Sequence, residues 1–225
     1  MTFKKIGMVT IGQSPRVDIV PQMMEILGLD LEIMEAGALD GLSFEEVKEF
    51  SPRKGDLGLC SRMADGAGVV IAKKFILSRV QNCINLLEEK GAEIIVLLGT
   101  EKFPKFSSKR LVIEPHKILD CCIRVFQRKQ EKIGLIIPHP SQLDQSKKKY
   151  SRMKNQVVIQ VASPYALKDE ISPAAEELKK AAPHMIVMHG MGYTQAMKRR
   201  VTAVTGKPVI LPCSLVARIM KELVS

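Results

Sequence analysis

The chain has 225 residues, enough for one large or two small domains with a sizeable core, and 46% of them are hydrophobic against 26% charged, an ordinary globular balance. No run of 18 or more apolar residues occurs, so a membrane-spanning helix is excluded. The formal net charge of +10 favours anionic partners, yet the basic residues are scattered, and three tyrosines, seven phenylalanines and no tryptophan leave little to stack on bases.

In chain order, the first segment is KKIGMVTIGQSP (Lys4–Pro15). Two lysines precede a short apolar run without a small-residue cleavage site, which reads as a first strand and not as a signal peptide. LEIMEAG (Leu31–Gly37) is a second strand. Residues 38–73 follow, and within them DLGLCSRMADGAGVVIAKK predicts a β-hairpin turning at Asp65-Gly66. KKFILSRVQNCINLLEEKG is an amphipathic helix: Phe75, Ile76, Val80, Cys83, Ile84 and Leu87 recur near the helical period, and Gly91 supplies a stop. IIVLLGTEKF (Ile94–Phe103) is a buried strand that breaks open at Gly99-Thr100. RLVIEPHKILDCCIRVF (Arg110–Phe126) is a strand feeding a helix.

The remaining segments repeat the first ones. EKIGLIIPHPSQ (Glu131–Gln142) answers Lys4–Pro15, and VVIQVAS (Val157–Ser163) answers Leu31–Gly37. MIVMHGMGYT (Met185–Thr194) answers Ile94–Phe103, and KPVILPCSLVARIMKEL (Lys207–Leu223) answers Arg110–Phe126. In the second copy Ser172-Pro173 opens a helix, with serine as cap and proline in its first turn. Alternating helices and short, continuously apolar strands predict an α/β fold. Two pseudo-symmetric Rossmann-like (flavodoxin-like) halves with parallel sheets would face a central cleft at their strands' carboxyl ends. The expected halves are residues 1–115 and 116–213. Residues 38–73 are an insertion covering part of the cleft, and the C-terminal helix, 214–224, is free to pack back on the first half.

Four loops then carry any chemistry. In TIGQSPR, Gln13, Ser14 and Arg16 suit an anion at the start of a helix, although Ser14 before Pro15 equally reads as a capped turn. At Gly99-Thr100-Glu101, glycine allows close backbone approach and Thr100 can bond a carboxylate; Glu101 serves as a base only if burial raises its pKa. In HGMGYT, His189 is an acid, a base or a structural donor, and Gly190, Met191, Gly192, Tyr193 and Thr194 form a loop that wraps something closely. This is not a dinucleotide fingerprint, because the third glycine and the later acidic residue are missing. The fourth loop pairs PHPSQ (Pro138–Gln142) with PCS (Pro212–Ser214). Ser214 reads as a helix cap, and Cys213 at a helix N-terminus is the one plausible thiol nucleophile, with core packing as its competing role. The five cysteines form no CxxC and no zinc spacing, so no disulfide framework and no metal site are expected, and a reducing cytoplasm is the expected location.

The segments TIGQSPR, GALDGL (Gly37–Leu42), RMADG (Arg62–Gly66), LLGTEKFP, VIEP (Val112–Pro115) and MGYT occur in the order seen in AroM family proteins. The resemblance runs from about Met8 to Leu223. That family resembles the aspartate/glutamate racemase superfamily, and the resemblance implies two facing α/β halves with a ligand cleft between them. It also implies one cysteine after each half's central strand, the two thiols working from opposite faces of one carbon. This chain has glycine at both expected positions, 99 and 190, so a two-cysteine proton transfer is not open to it.

Three readings follow. The first is a protein that binds a small anionic molecule, a carboxylate foremost, through Gln13, Ser14, Arg16, Gly99, Thr100 and residues 190–194, without cofactor or metal. The second is a cofactor-independent isomerase, racemase or lyase in which Glu101 or His189 moves the proton and Cys213 is an outsider. The third is a basic interaction protein that binds nucleic acid. No membrane partner is expected, and the sequence leaves homo-oligomerisation open.

Overall fold

A computed structural model describes residues 5–28, 30–126, 131–151 and 157–225. Strand β1 (Lys5–Thr10) leads through helix α1 (Val20–Leu27) to β2 (Glu32–Gly37). A short helix, α2 (Phe44–Lys48), precedes β3 (Gly58–Arg62) and β4 (Gly68–Ala72). Helix α3 (Lys73–Glu89), β5 (Ile94–Leu98) and β6 (Leu111–Ile113) complete the first half, and α4 (Pro115–Phe126) crosses over to pack Leu119 and Ile123 against Ile133, Leu135 and Met185 of the second. The second half runs β7 (Ile133–Ile137), α5 (Leu143–Lys149), β8 (Val157–Val161), α6 (Ile171–Ala181), β9 (Met185–Met188), α7 (Gln195–Thr205), β10 (Val209–Ile210) and α8 (Pro212–Val224).

The two halves repeat one topology. The first sheet has the order β2-β1-β5-β6 and the second β8-β7-β9-β10, and all of these pairings are parallel. Thr10 pairs with both Gly37 and Leu98, which brings the carboxyl ends of β2, β1 and β5 level, so their loops emerge together. Ile136 does the same between Gln160 and Met188. Every residue of β5 and of β7 is buried, which accounts for their unbroken apolar sequence.

Residues 38–73 carry α2 and the antiparallel hairpin β3–β4, which turns at Asp65-Gly66 as the sequence implies. Gly66 takes φ 97°, and the Asp65 carboxylate accepts the Ala67 N–H at 2.8 Å, which closes the turn. Helix α3 buries Ile76, Val80, Cys83, Ile84 and Leu87; Phe75 is half-buried and stacks on Phe50 with centroids 5.4 Å apart. The helix stops before Gly91, whose φ of 90° a side chain would resist. The halves differ between their third and fourth strands: the second carries α7 there, whereas residues 99–110 form no helix.

Helix α8 packs against α1. Val216, Ala217 and Met220 share one core with Ile19, Met23 and Leu27, and the Cys213 thiol lies 3.7 Å from the Ile19 carbonyl. Two helix starts differ from the sequence reading. Helix α6 begins at Ile171, so Ser172 lies inside it; the Asp169 carboxylate accepts the N–H groups of Ile171 and Ser172 and does the capping. Helix α8 begins at Pro212, and the Ser214 hydroxyl donates back to the Leu211 carbonyl at 3.0 Å, which is not a cap. Among the described residues no helix is long and apolar enough to cross a membrane.

Candidate functional site

The level strand ends place a small cavity between the two sheets, its largely apolar wall set with a few polar groups. Its volume is about 40 Å3, and its wall takes Arg16, Gly99, Thr100 and Glu101 from the first half and Gly190, Met191 and Gly192 from the second. Such a space holds about three water molecules.

Arg16 is the best-anchored side chain in this wall. It is 2% exposed, and its guanidinium grips Asp18 through both Nε (2.9 Å) and Nη2 (2.8 Å). Nη1 donates to the Thr10 hydroxyl at 2.7 Å, and Nη2 also donates to the Tyr165 hydroxyl at 2.8 Å. Burial works against the charge, but the bonds to Asp18 and Tyr165 outweigh it and raise the pKa, so Arg16 is a permanent cation. Its charge is already matched by Asp18. What it offers a ligand is direction, plus the one N–H of its five that those four bonds leave over.

The other residues of the first loop serve the scaffold. Gln13 donates to the Leu39 and Leu42 carbonyls and accepts from Ala64 N–H, which ties the loop to residues 38–73. Ser14 gives both its N–H and its hydroxyl to Asp40, each at 2.7 Å. Neither lines the cavity. The loop and hairpin also touch directly: a Cβ on Gly12 would lie 2.3 Å from the Ser61 hydroxyl, so only glycine fits there.

Thr100 is buried, and its hydroxyl lies 3.5 Å from Nδ1 of His189. His189 is held at a pKa of about 4, first by burial and then by Lys149, so it is a neutral imidazole at ordinary pH. Its Nε2 has no protein partner, and the ring stands behind Thr100 and outside the cavity wall. Glu101 does face the cavity. Burial raises its pKa against the pull of Lys149 and Lys73, which is the condition the sequence reading set for it as a base.

The glycines are not equivalent. A Cβ at Gly99 would meet Phe103 at an ordinary 3.4 Å, whereas one at Gly190 would lie 2.9 Å from the Tyr193 ring. At Gly192 it would lie 1.9 Å from the Tyr165 hydroxyl oxygen. Tyr193 is fully buried and donates to the Ala162 carbonyl at 2.8 Å, and Thr194 caps α7 by accepting the Met197 N–H. Both therefore shape the loop from outside the wall. Cys213 is a core thiol: burial pushes its pKa up to about 12, which overrides the lowering that its place at a helix N-terminus suggests.

Three polar wall residues, Cys60, Ser61 and Tyr165, escape the sequence reading, and a fourth, Gln142, ends a loop that the reading names without giving this side chain a role. Ser61 and Cys60 come from β3, Gln142 from the turn after β7, and Tyr165 from the loop after β8. Ser61 and Gln142 are 1% and 3% exposed, and Ser61 Oγ and Gln142 Oε1 have no protein partner. The rule that ligands gather at strand carboxyl ends, which singles out the loop of Gln142, would have found Tyr165 as well. Nothing in the sequence tells which face of the hairpin turns inward. The Cys60 thiol lies 3.7 Å from the Pro138 carbonyl, and burial raises its pKa to about 11.

A family model described as AroM protein matches residues 6–224. No curated protein matches the chain by sequence. Solved structures share its fold at low identity. Glutamate racemase from Aquifex pyrophilus is similar with a TM-score of 0.60 and 14% identity over 98% of this chain and 84% of that one. Allantoin racemase from Klebsiella pneumoniae gives 0.57 and 14%, over 98% and 87%. Unliganded arylmalonate decarboxylase gives 0.56 and 10%, over 98% and 92%.

Proposed function

The chain belongs to the AroM family, and on that footing we propose that it binds a small carboxylate in the cavity between its two sheets. The supporting observation is the pair of polar atoms there, Ser61 Oγ and Gln142 Oε1, buried without a protein partner beside Arg16 and Thr100. An unmatched buried polar atom costs about 1–3 kcal/mol, so a ligand that pairs with both gains affinity from the wall itself. A carboxylate takes the remaining Arg16 N–H and the Thr100 hydroxyl, and Gln142 accepts from a donor elsewhere on the ligand. A whole amino acid or hydroxy acid exceeds about 40 Å3, so admission requires Tyr165 to swing away from Gly192. Gly99 and Gly190 stand where the superfamily resemblance puts its two thiols, and the proposal includes no thiol pair.

A second reading, a cofactor-independent isomerase, racemase or lyase, is favoured by Glu101, the wall carboxylate whose pKa burial raises. Two of the proteins of similar fold are named as racemases and one as a decarboxylase.

A thermal-shift screen against small carboxylates, phosphates and amino acids tests the binding proposal. A ligand at 100 times its Kd adds about 2.7 kcal/mol of stability. The shift should vanish in Thr100→Val and in Gln142→Leu; no shift by any compound, or a shift that survives both substitutions, refutes the proposal. With the compound found, exchange of its α-proton for solvent deuterium, lost in Glu101→Gln, supports the second reading.

A further inference from the structure

The loop that replaces a helix in the first half leaves a second and larger cleft. Where the second half carries α7 between β9 and β10, residues 99–110 run without a helix from β5 to β6. Between this loop, β6 and the first turn of α4 lies a cleft of about 420 Å3. That is within the range of about 300–1,000 Å3 typical of small-molecule sites, and it is ten times the volume of the cavity between the sheets.

Its lining combines charge with flat apolar surface. Lys102, Lys105, Arg110 and Lys117 contribute four cations. Lys117 is paired with Glu114, whereas Lys102, Lys105 and Arg110 make no ion pair among the described residues. Phe103 and Phe106 pack together on the loop side, centroids 5.9 Å apart and tilted by 39°. Phe103 is buried; Phe106 is half-buried and offers ring surface to the cleft. The Lys73 ammonium sits 5.2 Å above the Phe103 ring and also donates to the Lys102 carbonyl, which steadies the loop from behind.

We infer that this cleft binds a small phosphomonoester carried on a flat apolar group. Three unpaired cations in one concave surface call for a ligand with at least two negative charges. A guanidinium among them matches the two-oxygen face of a phosphate, and the second negative charge sets that group above a lone carboxylate. The phenylalanine pair favours a planar body. The inference is independent of the cavity between the sheets, because no residue lines both.

Phenyl phosphate is the test ligand, titrated by calorimetry beside inorganic phosphate, phenol and benzoate. Phenyl phosphate should bind about tenfold or more tightly than inorganic phosphate, the margin expected from burying a ring against Phe106. Arg110→Gln should weaken it about tenfold, Phe106→Ala should erase its advantage over inorganic phosphate, and the control Lys147→Gln on α5 should change neither. Equal binding of both phosphates, an equal loss in the control, or no binding of phenyl phosphate at millimolar concentration would each overturn the inference. Arg110 is exposed and Phe106 lies at the edge of the core, half-buried, so these variants should fold, and unchanged far-ultraviolet circular dichroism would verify it.

Discussion

Gly192→Ala should drive Tyr165 out of the cavity. A Cβ at position 192 would lie 1.9 Å from the tyrosine oxygen and 2.5 Å from its Cζ, where real contacts stay beyond 3.0 Å. The ring must therefore retreat by more than about 1 Å, and the 2.8 Å bond from Arg16 Nη2 to the Tyr165 hydroxyl cannot follow it. A hydrogen bond to a charged group contributes about 1.5–3 kcal/mol, and the φ of Gly192 lies outside the left-handed region, so backbone strain adds nothing. Urea unfolding followed by circular dichroism should show a loss of about 2–3 kcal/mol. The decisive comparison is a double-mutant cycle. In a Tyr165→Ala background the same change should cost less than about 0.5 kcal/mol, because the obstructing ring is gone. Equal costs in the two backgrounds would refute the assignment of Tyr165 as the group seated on Gly192.

Other outcomes follow from the same geometry. Arg16→Ala strips Asp18 of its two-pronged partner in a nearly buried setting and should destabilise the fold by about 3–5 kcal/mol; calorimetric unfolding checks it, and a loss below 1 kcal/mol would mean the pair is wetter than drawn. His189 is held at about 4 against an ordinary 6.5, so between those values the unfolded chain binds a proton that the folded chain refuses. Stability should fall as pH drops through that window, by up to about 3 kcal/mol, with His116 and His139, also lowered by burial, acting in the same direction; His189→Gln should flatten the slope measured by urea unfolding at stepped pH. Asp169→Ala should cost about 1 kcal/mol as the loss of a helix cap, and Ser172→Ala clearly less; the reverse order would restore Ser172 as the cap.

Much of the architecture is legible in the residues. The repeat of four segments appears as two sheets of one strand order, because a duplicated pattern of apolar runs must bury the same faces twice. The hairpin turn at Asp65-Gly66 and the stop at Gly91 were readable because both rest on local backbone chemistry. Helix starts were less so. Ser172 and Ser214 have the composition of caps, but the helices begin two and three residues earlier than they imply, with Asp169 and Leu211 in the flanking positions.

The site divides along the same line. Sequence placed Arg16, Gly99, Thr100, Glu101 and the glycines of 190–192 at strand ends, and those residues meet in the cavity wall because the parallel register levels the strands. It could not assign the polar groups of Gln13 and Ser14, which bind residues 39–64 instead of facing the cavity. Nor could it see that Asp18 matches the charge of Arg16, that Tyr165 reaches Arg16 from the other half while seated on Gly192, or that Ser61 and Gln142 turn inward. Periodicity and turn chemistry act within about ten residues and so are written in the chain. The pairing, burial and pKa of a side chain depend on neighbours up to 195 positions away, and only the packed tertiary structure brings those together.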